Sequence, residues 1–258
     1  MKKEVYDIVY LLKNDYDSEE LRYSVRSVVK YFPYRKIVFV GGCPDYITAD
    51  INIYDKQEGK NKWQKSQHSL KLALENDDLT ENIWLFNDDF FVMDKIKEPT
   101  NYFNGTLEKR IFDLKAKHPK SSAYIRELES LKGKLTNMRK DTLSFAVHLP
   151  MLINRSKALL LLESQKVTMF RSYYGNFYEI DCVYHKDVKV YDNETILNTE
   201  FLSTSDEAFR DGQVGKFIRA CFPDPCKYEL QKEELNKQNE VYQPHERYTE
   251  DGDEILTI

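Results

Sequence analysis

The spacing of apolar residues changes along the chain, and each change marks a different kind of element. Val5 to Leu12 (VYDIVYLL) and Ile37 to Val40 (IVFV) are short, nearly continuous apolar runs, and Asp50 to Tyr54 is a weaker one. Another opens at Ile83 in the stretch IWLFNDDFFVM. Runs of this length, rich in β-branched and aromatic residues, predict buried strands. Between them the period lengthens. Leu21, Val25, Val28, Val29 and Phe32 fall at i, i+4, i+7, i+8 and i+11, which predicts an amphipathic helix closed by Pro33. Asp17 or Ser18 is placed to cap it, with Glu20 completing a capping box from Asp17. Trp63, Leu70, Ala73 and Leu74 share one side of a second helix. Strand and helix thus alternate through the first 90 residues. That predicts an α/β fold, Rossmann-like, with a mostly parallel, doubly wound sheet.

After Pro99 the pattern becomes helical and charged. Leu107, Ile111 and Leu114 make one stripe; Tyr124, Leu128, Leu131 and Leu135 make another, with His118-Pro119-Lys120-Ser121 between them. The expectation is a charged helical hairpin, residues 101–140, inserted into the α/β domain. The chain returns at Leu143 to Ile153 (LSFAVHLPMLI), and a helix follows from about Ser156 to Glu163. Phe170 to Val190 reads as strands and loops, and Phe222-Pro223-Asp224-Pro225-Cys226 as a rigid loop before a short polar helix. No internal repeat divides the sequence, so residues 1–258 are expected to form a single α/β domain.

Composition alters this picture in three places. Eighteen Tyr and fourteen Phe are a surplus that suits core packing or sugar stacking. No apolar run approaches the roughly 18 residues of a membrane span, and the N-terminus lacks a small-residue cleavage site, so a cytoplasmic protein without a span is expected. Cys43, Cys182, Cys221 and Cys226 form no CxxC pair and are expected as buried free thiols. The net charge of −5 is also unevenly spread. Residues 101–140 hold ten Lys/Arg against four Asp/Glu, a surplus of six that leaves the remainder at −11. This basic segment is either a polyanion-binding face or an ordinary solvated helix surface.

The chemistry concentrates where the fourth strand ends. Asn87-Asp88-Asp89 interrupts an apolar run, and adjacent carboxylates there are costly to bury unless paired or bound to metal. Open α/β sheets bind ligands at the carboxyl ends of their strands, where paired acids commonly hold Mg²⁺ or Mn²⁺ against a diphosphate. A solvated turn is the alternative. Arg22 and Arg26 are four apart on one helix face and are able to clamp a diphosphate, or else lie on the surface. His148, in the apolar setting AVHLPM, is a core residue or a base. No GxxxxGK[ST], GxGxxG, HExxH or GxSxG motif occurs. P-loop ATPases, dehydrogenases with the dinucleotide fingerprint, zincins and α/β-hydrolases are therefore disfavoured.

Taken in order, these pieces resemble the Stealth family of sugar-1-phosphate transferases, which includes bacterial capsule-polymer phosphotransferases and the lysosomal-targeting N-acetylglucosamine-1-phosphotransferase. The first block resembles DIVYLLKNDYD (Asp7, Val9, Tyr10, Asn14, Asp17) followed by ELRYSVRSVVKYFPYRKIVFV; the second is Asn87-Asp88-Asp89. The third is His148-Leu149-Pro150 with Asn154-Arg155 and, downstream, Arg171-Ser172; the fourth is FPDPCKYE, Phe222 to Glu229. The chain departs from the pattern at Leu11-Leu12-Lys13, Asp15, Cys226 and Tyr173-Tyr174-Gly175-Asn176, and the basic hairpin has no counterpart. The resemblance implies a GT-A-like fold and a UDP-sugar donor bound with Mg²⁺ or Mn²⁺. It implies metal binding by Asp88 and Asp89, and catalysis by His148 as base with Asp89 and Arg171. It also implies donor contacts from Asn14, Asp17, Arg22, Arg26 and Asn87, to which Asn176 is added as a substrate-binding position.

Two reactions fit that reading. In the first, sugar-1-phosphate moves from the UDP-sugar to a hydroxyl of a polymeric acceptor, a polysaccharide. In the second, a GT-A-like glycosyltransferase moves the sugar itself and releases UDP. One acceptor open to it is a nucleic acid held by the basic 101–140 segment, such as a hydroxylated base of DNA. A non-catalytic sugar-nucleotide-binding module is the third possibility.

Overall fold

The structure, a computed structural model, describes residues 5–14, 18–98, 100–117 and 122–230. The chain opens with β1 (Asp7–Leu12), α1 (Glu19–Tyr31), β2 (Ile37–Gly41), β3 (Ile51–Tyr54), α2 (Lys62–Leu74) and β4 (Asn82–Phe86). β5 (Phe90–Val92) and β6 (Asn101–Phe103) follow, then the hairpin helices α3 (Leu107–Lys117) and α4 (Ala123–Asn137). Next come β7 (Met151–Asn154), α5 (Arg155–Ser164), α6 (Phe170–Phe177), β8 (Cys182–Tyr184) and β9 (Lys189–Val190). β10 (Phe201–Thr204), α7 (Asp206–Asp211) and α8 (Gln213–Cys221) complete the described elements.

The main sheet runs β3-β2-β1-β4-β7. β1 pairs parallel with β2 and β4, and β2 with β3, whereas β7 runs antiparallel to β4. The molecule is therefore α/β with a mixed, mostly parallel sheet. Strand order reverses between β1 and β4, the switch point at which such sheets open a crevice beyond their carboxyl ends.

Alternation along β1 splits the core into two layers. Ile8, Tyr10 and Leu12 face α1 through Leu21, Val25, Val28 and Phe32. Val9, with Val38, Val40, Ile83 and Leu85, faces Leu70, Ala73 and Leu74 of α2 and Ala158 and Leu161 of α5. Asp7, buried at the start of β1, ties down the opposite end of the sheet. It accepts from Arg35 at 2.9 and 2.6 Å, from Lys36 N at 3.1 Å and from Thr80 N at 2.8 Å.

The hairpin forms as its stripes predict, but it is not an appendage. Leu107, Ile111, Ile125, Leu128, Leu131 and Leu135 are buried in the same apolar layer as α2 and α5. Some of its cations face acids: Lys109 meets Asp113 at 3.2 Å, Lys115 meets Glu129 at 2.5 Å and Lys132 meets Glu108 at 2.8 Å, all within the hairpin, and Lys140 meets Glu179 at 3.1 Å.

Other expectations need correction. Residues 170–177 are helical rather than strand and loop, because Phe170, Tyr173, Tyr174 and Phe177 recur at i, i+3, i+4 and i+7. Ser18 is the N-cap of α1 without a side-chain cap bond, and Glu20 turns inward. Asp17, the 118–121 turn and the short polar helix beyond the FPDPC loop lie outside the described residues. The four cysteines are free, but Cys43 is exposed and the others are half-buried. Among the described residues no helix is long and apolar enough to cross a membrane.

Candidate active site

β4 delivers Asn87-Asp88-Asp89 to the carboxyl end of the sheet, and the chain turns at once into β5. β5 pairs antiparallel with β10, and β10 pairs parallel with β9, so Ser203 and Lys189 arrive beside the acid pair. Asp89 is 3% exposed. Its Oδ2 accepts from Lys189 Nζ at 3.0 Å and Ser203 Oγ at 2.7 Å, while its Oδ1 is buried and has no partner among the described residues. Glu20, from the first turn of α1, is 4% exposed and accepts from the Thr204 hydroxyl. α1 approaches this closely because Ser24 and Ser27 present hydroxyls to the β5 backbone: Ser24 Oγ donates to Phe90 O, and Ser27 Oγ accepts from Val92 N.

Three carboxylates therefore share one lysine, and their electrostatics show it. Burial and the neighbouring Asp89 push Asp88 up to about 7, against the Ser18 hydroxyl and Lys189. Burial, then the charge of Asp89, raises Glu20 to about 9, with the Thr204 bond opposing. Burial works to deprotonate Lys189, but the charge and hydrogen bond of Asp89 outweigh it and hold the ammonium above its ordinary value.

The base side lies across Lys189. His148 Nδ1 is 2.7 Å from Asp187 Oδ1, and since a carboxylate only accepts, Nδ1 carries the proton. No bond to Nε2 is formed among the described residues, so the lone pair there is open to a proton donor. His148 has φ +50°, a left-handed conformation uncommon outside glycine, in the tight turn before Pro150. Burial works to raise Asp187, but the His148 bond and charge, the Lys189 N–H and Arg110 together hold it below its ordinary value. One residue joins the two ends: Lys189 N donates to Asp187 Oδ1 at 3.1 Å, and its Nζ donates to Asp89.

Arg171 braces the same place. It donates to Leu149 O at 3.0 Å, Leu85 O at 3.2 Å and Asn87 Oδ1 at 3.1 Å, so it holds the end of β4 against the His148 loop. Burial lowers its pKa to about 10, against the charge of Asp89. Across the switch point, Asn14 Nδ2 donates to Asp55 O at 2.7 Å, and its Oδ1 is buried and unpartnered among the described residues. Asp55 is itself fixed by His68 at 2.7 Å, Ser69 at 2.5 Å and Gln57 N at 2.7 Å.

Asn87, Asp88, Asp89, His148 and Arg171 thus lie together beyond the end of β4, and Asn14 lies beyond the end of the neighbouring β1. Arg26 is placed elsewhere. All its guanidinium nitrogens are engaged, Nε and Nη2 by Glu229 at 2.6 and 2.7 Å, and Nη1 by Phe222 O and Pro223 O. Arg22 lies 3.4 Å from the same Glu229 and stacks on Tyr46. The expected diphosphate clamp is instead a clamp on the FPDPCKYE segment. Asn176 is also structural: buried, it exchanges two 2.8 Å bonds with the Leu143 backbone and donates to Ser172 O. Sequence reasoning missed Glu20, Asp187, Lys189 and Ser203. Asp187 precedes the two-residue β9 that holds Lys189, and Ser203 lies in the four-residue β10, none with a motif, whereas the local pattern at Glu20 points to a cap.

Chemically, the crevice offers a negative end and a basic end. Among the described residues no group of three or more His, Cys, Asp or Glu is placed to hold a metal ion. Asp88 and Asp89, with the unpartnered Oδ1, fit the other kind of site, in which one or two carboxylates hold Mg²⁺ or Mn²⁺ and phosphate and water oxygens supply the rest. No protein-family model and no curated protein sequence matches the chain.

Proposed function

We propose that the chain is a GT-A-like, nucleotide-sugar-dependent transferase that moves sugar-1-phosphate from a UDP-sugar to a hydroxyl of a polymeric acceptor. The observation that carries the reading is the pairing, through Lys189, of a buried acid pair at the switch point with an oriented His148–Asp187 base. Asn14 and Asn87 line the donor side. A divalent ion held by Asp88 and Asp89 supplies charge stabilisation to the diphosphate when bound. His148 Nε2 takes the proton of the acceptor hydroxyl, and Asp187 stabilises the imidazolium that forms. The acceptor oxygen forms a bond to the β-phosphorus, the bond from that phosphorus to the bridging oxygen breaks, and UMP departs with the electron pair. The Lys189 ammonium sits where charge develops on the transferred group, and Arg171 keeps acid and base at fixed separation.

The test is turnover of a panel of UDP-sugars with Mn²⁺ and candidate acceptors, identifying the nucleotide released. UMP, formed only with acceptor, is expected. Asp89→Asn and His148→Ala should each lower the rate at least 100-fold. Asp187→Asn should lower kcat about 100-fold while leaving the donor KM near its original value. Release of UDP would assign transfer of the sugar itself. Donor binding without turnover of any donor and acceptor would leave a binding module, and turnover undiminished in Asp88→Asn and Asp89→Asn would move the chemistry away from the acid pair.

A further inference from the structure

We infer that the inserted hairpin completes the site on its acceptor side, where Arg110 and the exposed ring of Tyr191 form a subsite for a carbohydrate unit bearing an anionic group. The inference rests on the transferase reading above and names the acceptor it would take.

Tyr191 directly follows β9, and its side chain is 60% exposed. Its ring stands edge-on to the His148 imidazole, with centroids 6.5 Å apart and an interplanar angle of 87°. The Lys189 ammonium lies 5.7 Å from the same ring centroid and 3.0 Å from Asp89. Tyr191 therefore spans from the acid pair to the base on the open side of the crevice. A hydroxyl that delivers its proton to His148 Nε2 belongs to a group lying against this ring. Aromatic faces in solvent at a binding site offer rigid apolar contact at low entropic cost, which suits the C–H face of a sugar.

Arg110 comes from α3. Its Nε donates to Tyr124 Oη at 3.2 Å, and its guanidinium lies 5.9 Å from the Tyr124 ring, so α4 holds it in place. Its terminal nitrogens make no hydrogen bond to the described residues. Its electrostatic neighbours besides Tyr124 are Asp187 and Tyr191, the two residues that flank His148. A pre-oriented guanidinium with both ends open matches a carboxylate or phosphate group on the sugar. A nucleic-acid acceptor would instead call for a row of unpaired cations along its phosphates, which the octathymidylate probe below tests. On this hairpin Lys109, Lys115 and Lys132 each face a carboxylate.

The experiment is calorimetric titration of the full chain with three probes. They are a tetrasaccharide of alternating glucuronate and N-acetylglucosamine, neutral maltotetraose, and single-stranded octathymidylate. The acidic tetrasaccharide is expected to bind at least 10-fold more tightly than maltotetraose. Tyr191→Ala should weaken both sugars about 10-fold. Arg110→Gln should weaken the acidic one alone, to the level of the neutral one, with Arg110→Lys in between; thermal melts report whether each variant is folded. Sugar binding that neither residue affects, tightest binding of octathymidylate, or no sugar binding at all would overturn the subsite. UDP with Mn²⁺, titrated into the unaltered chain, reads the donor side separately. Binding of the acidic tetrasaccharide without UDP would sink the transferase reading and keep the subsite. UDP binding without the sugar would do the reverse.

Discussion

Glu20 sits among Asp88, Asp89 and Asp206 with the Thr204 hydroxyl bonded to it, and burial and those charges raise its pKa from 4.5 to about 9. The folded chain thus holds this proton more tightly than the unfolded chain does. The stability that follows is fully present below pH 4.5 and is lost as pH rises through 9. Glu20→Gln removes the titration but keeps an oxygen for Thr204. The variant and the unaltered chain should be about equally stable at pH 5, with the variant ahead by about 4 kcal/mol at pH 8. Urea unfolding at the two pH values checks this, and parallel pH profiles would rule it out. The same residue shows where single-residue reading stops. A glutamate three positions after Asp17 is a sound capping-box candidate from local pattern. What made it a site residue is Thr204 and Asp89, which lie 184 and 69 positions away in sequence.

The elements were far more legible than the side chains they carry. The stripe from Leu21 to Phe32 is the buried face of α1, and the runs at Val5, Ile37, Asp50 and Ile83 are β1 to β4. Apolar period reports which face is buried, so it finds elements whose burial is continuous. It passes over β9, two residues long, and β5 and β10, at three and four, which pair outside the main sheet yet bring Lys189 and Ser203 to Asp89. Gly41, at the end of β2, illustrates a local requirement with a distant purpose. It has φ +108°, and a Cβ there would sit 2.0 Å from Leu12 O, on the strand that leads to Asn14. Gly41→Ala should destabilise the chain by about 3 kcal/mol, read as a lower urea midpoint, and, on the proposed function, should raise the donor KM by shifting Asn14. An unchanged midpoint would show that this close approach is not needed.

For the molecule as a whole, the hairpin is the main revision. Its charge marked it as an insertion, and its six buried apolar side chains make it part of the core. At about 2 kcal/mol each, they amount to the whole stability of an ordinary domain. Excision of residues 101–140 should therefore abolish cooperative unfolding and expose dye-binding apolar surface; a cooperative melt with native near-ultraviolet dichroism would show that the hairpin is dispensable. Its charge surplus is real: the acids that meet Lys109, Lys115 and Lys132 are the hairpin's own and already counted in it, and Glu179 meets Lys140 from outside. Read without the fold, the chain already specified an alternating α/β domain, an acid pair at the end of β4 and a basic hairpin, because periodicity and composition are properties of neighbouring residues. It did not specify that Arg26 is held by Glu229 or that Asn176 braces the Leu143 backbone. Nor did it place Asp187 on His148, or Lys189 between base and acid. Those pairings join residues up to 203 positions apart, and only the packed sheet, by bringing β5, β9 and β10 to the end of β4, decides which charges meet.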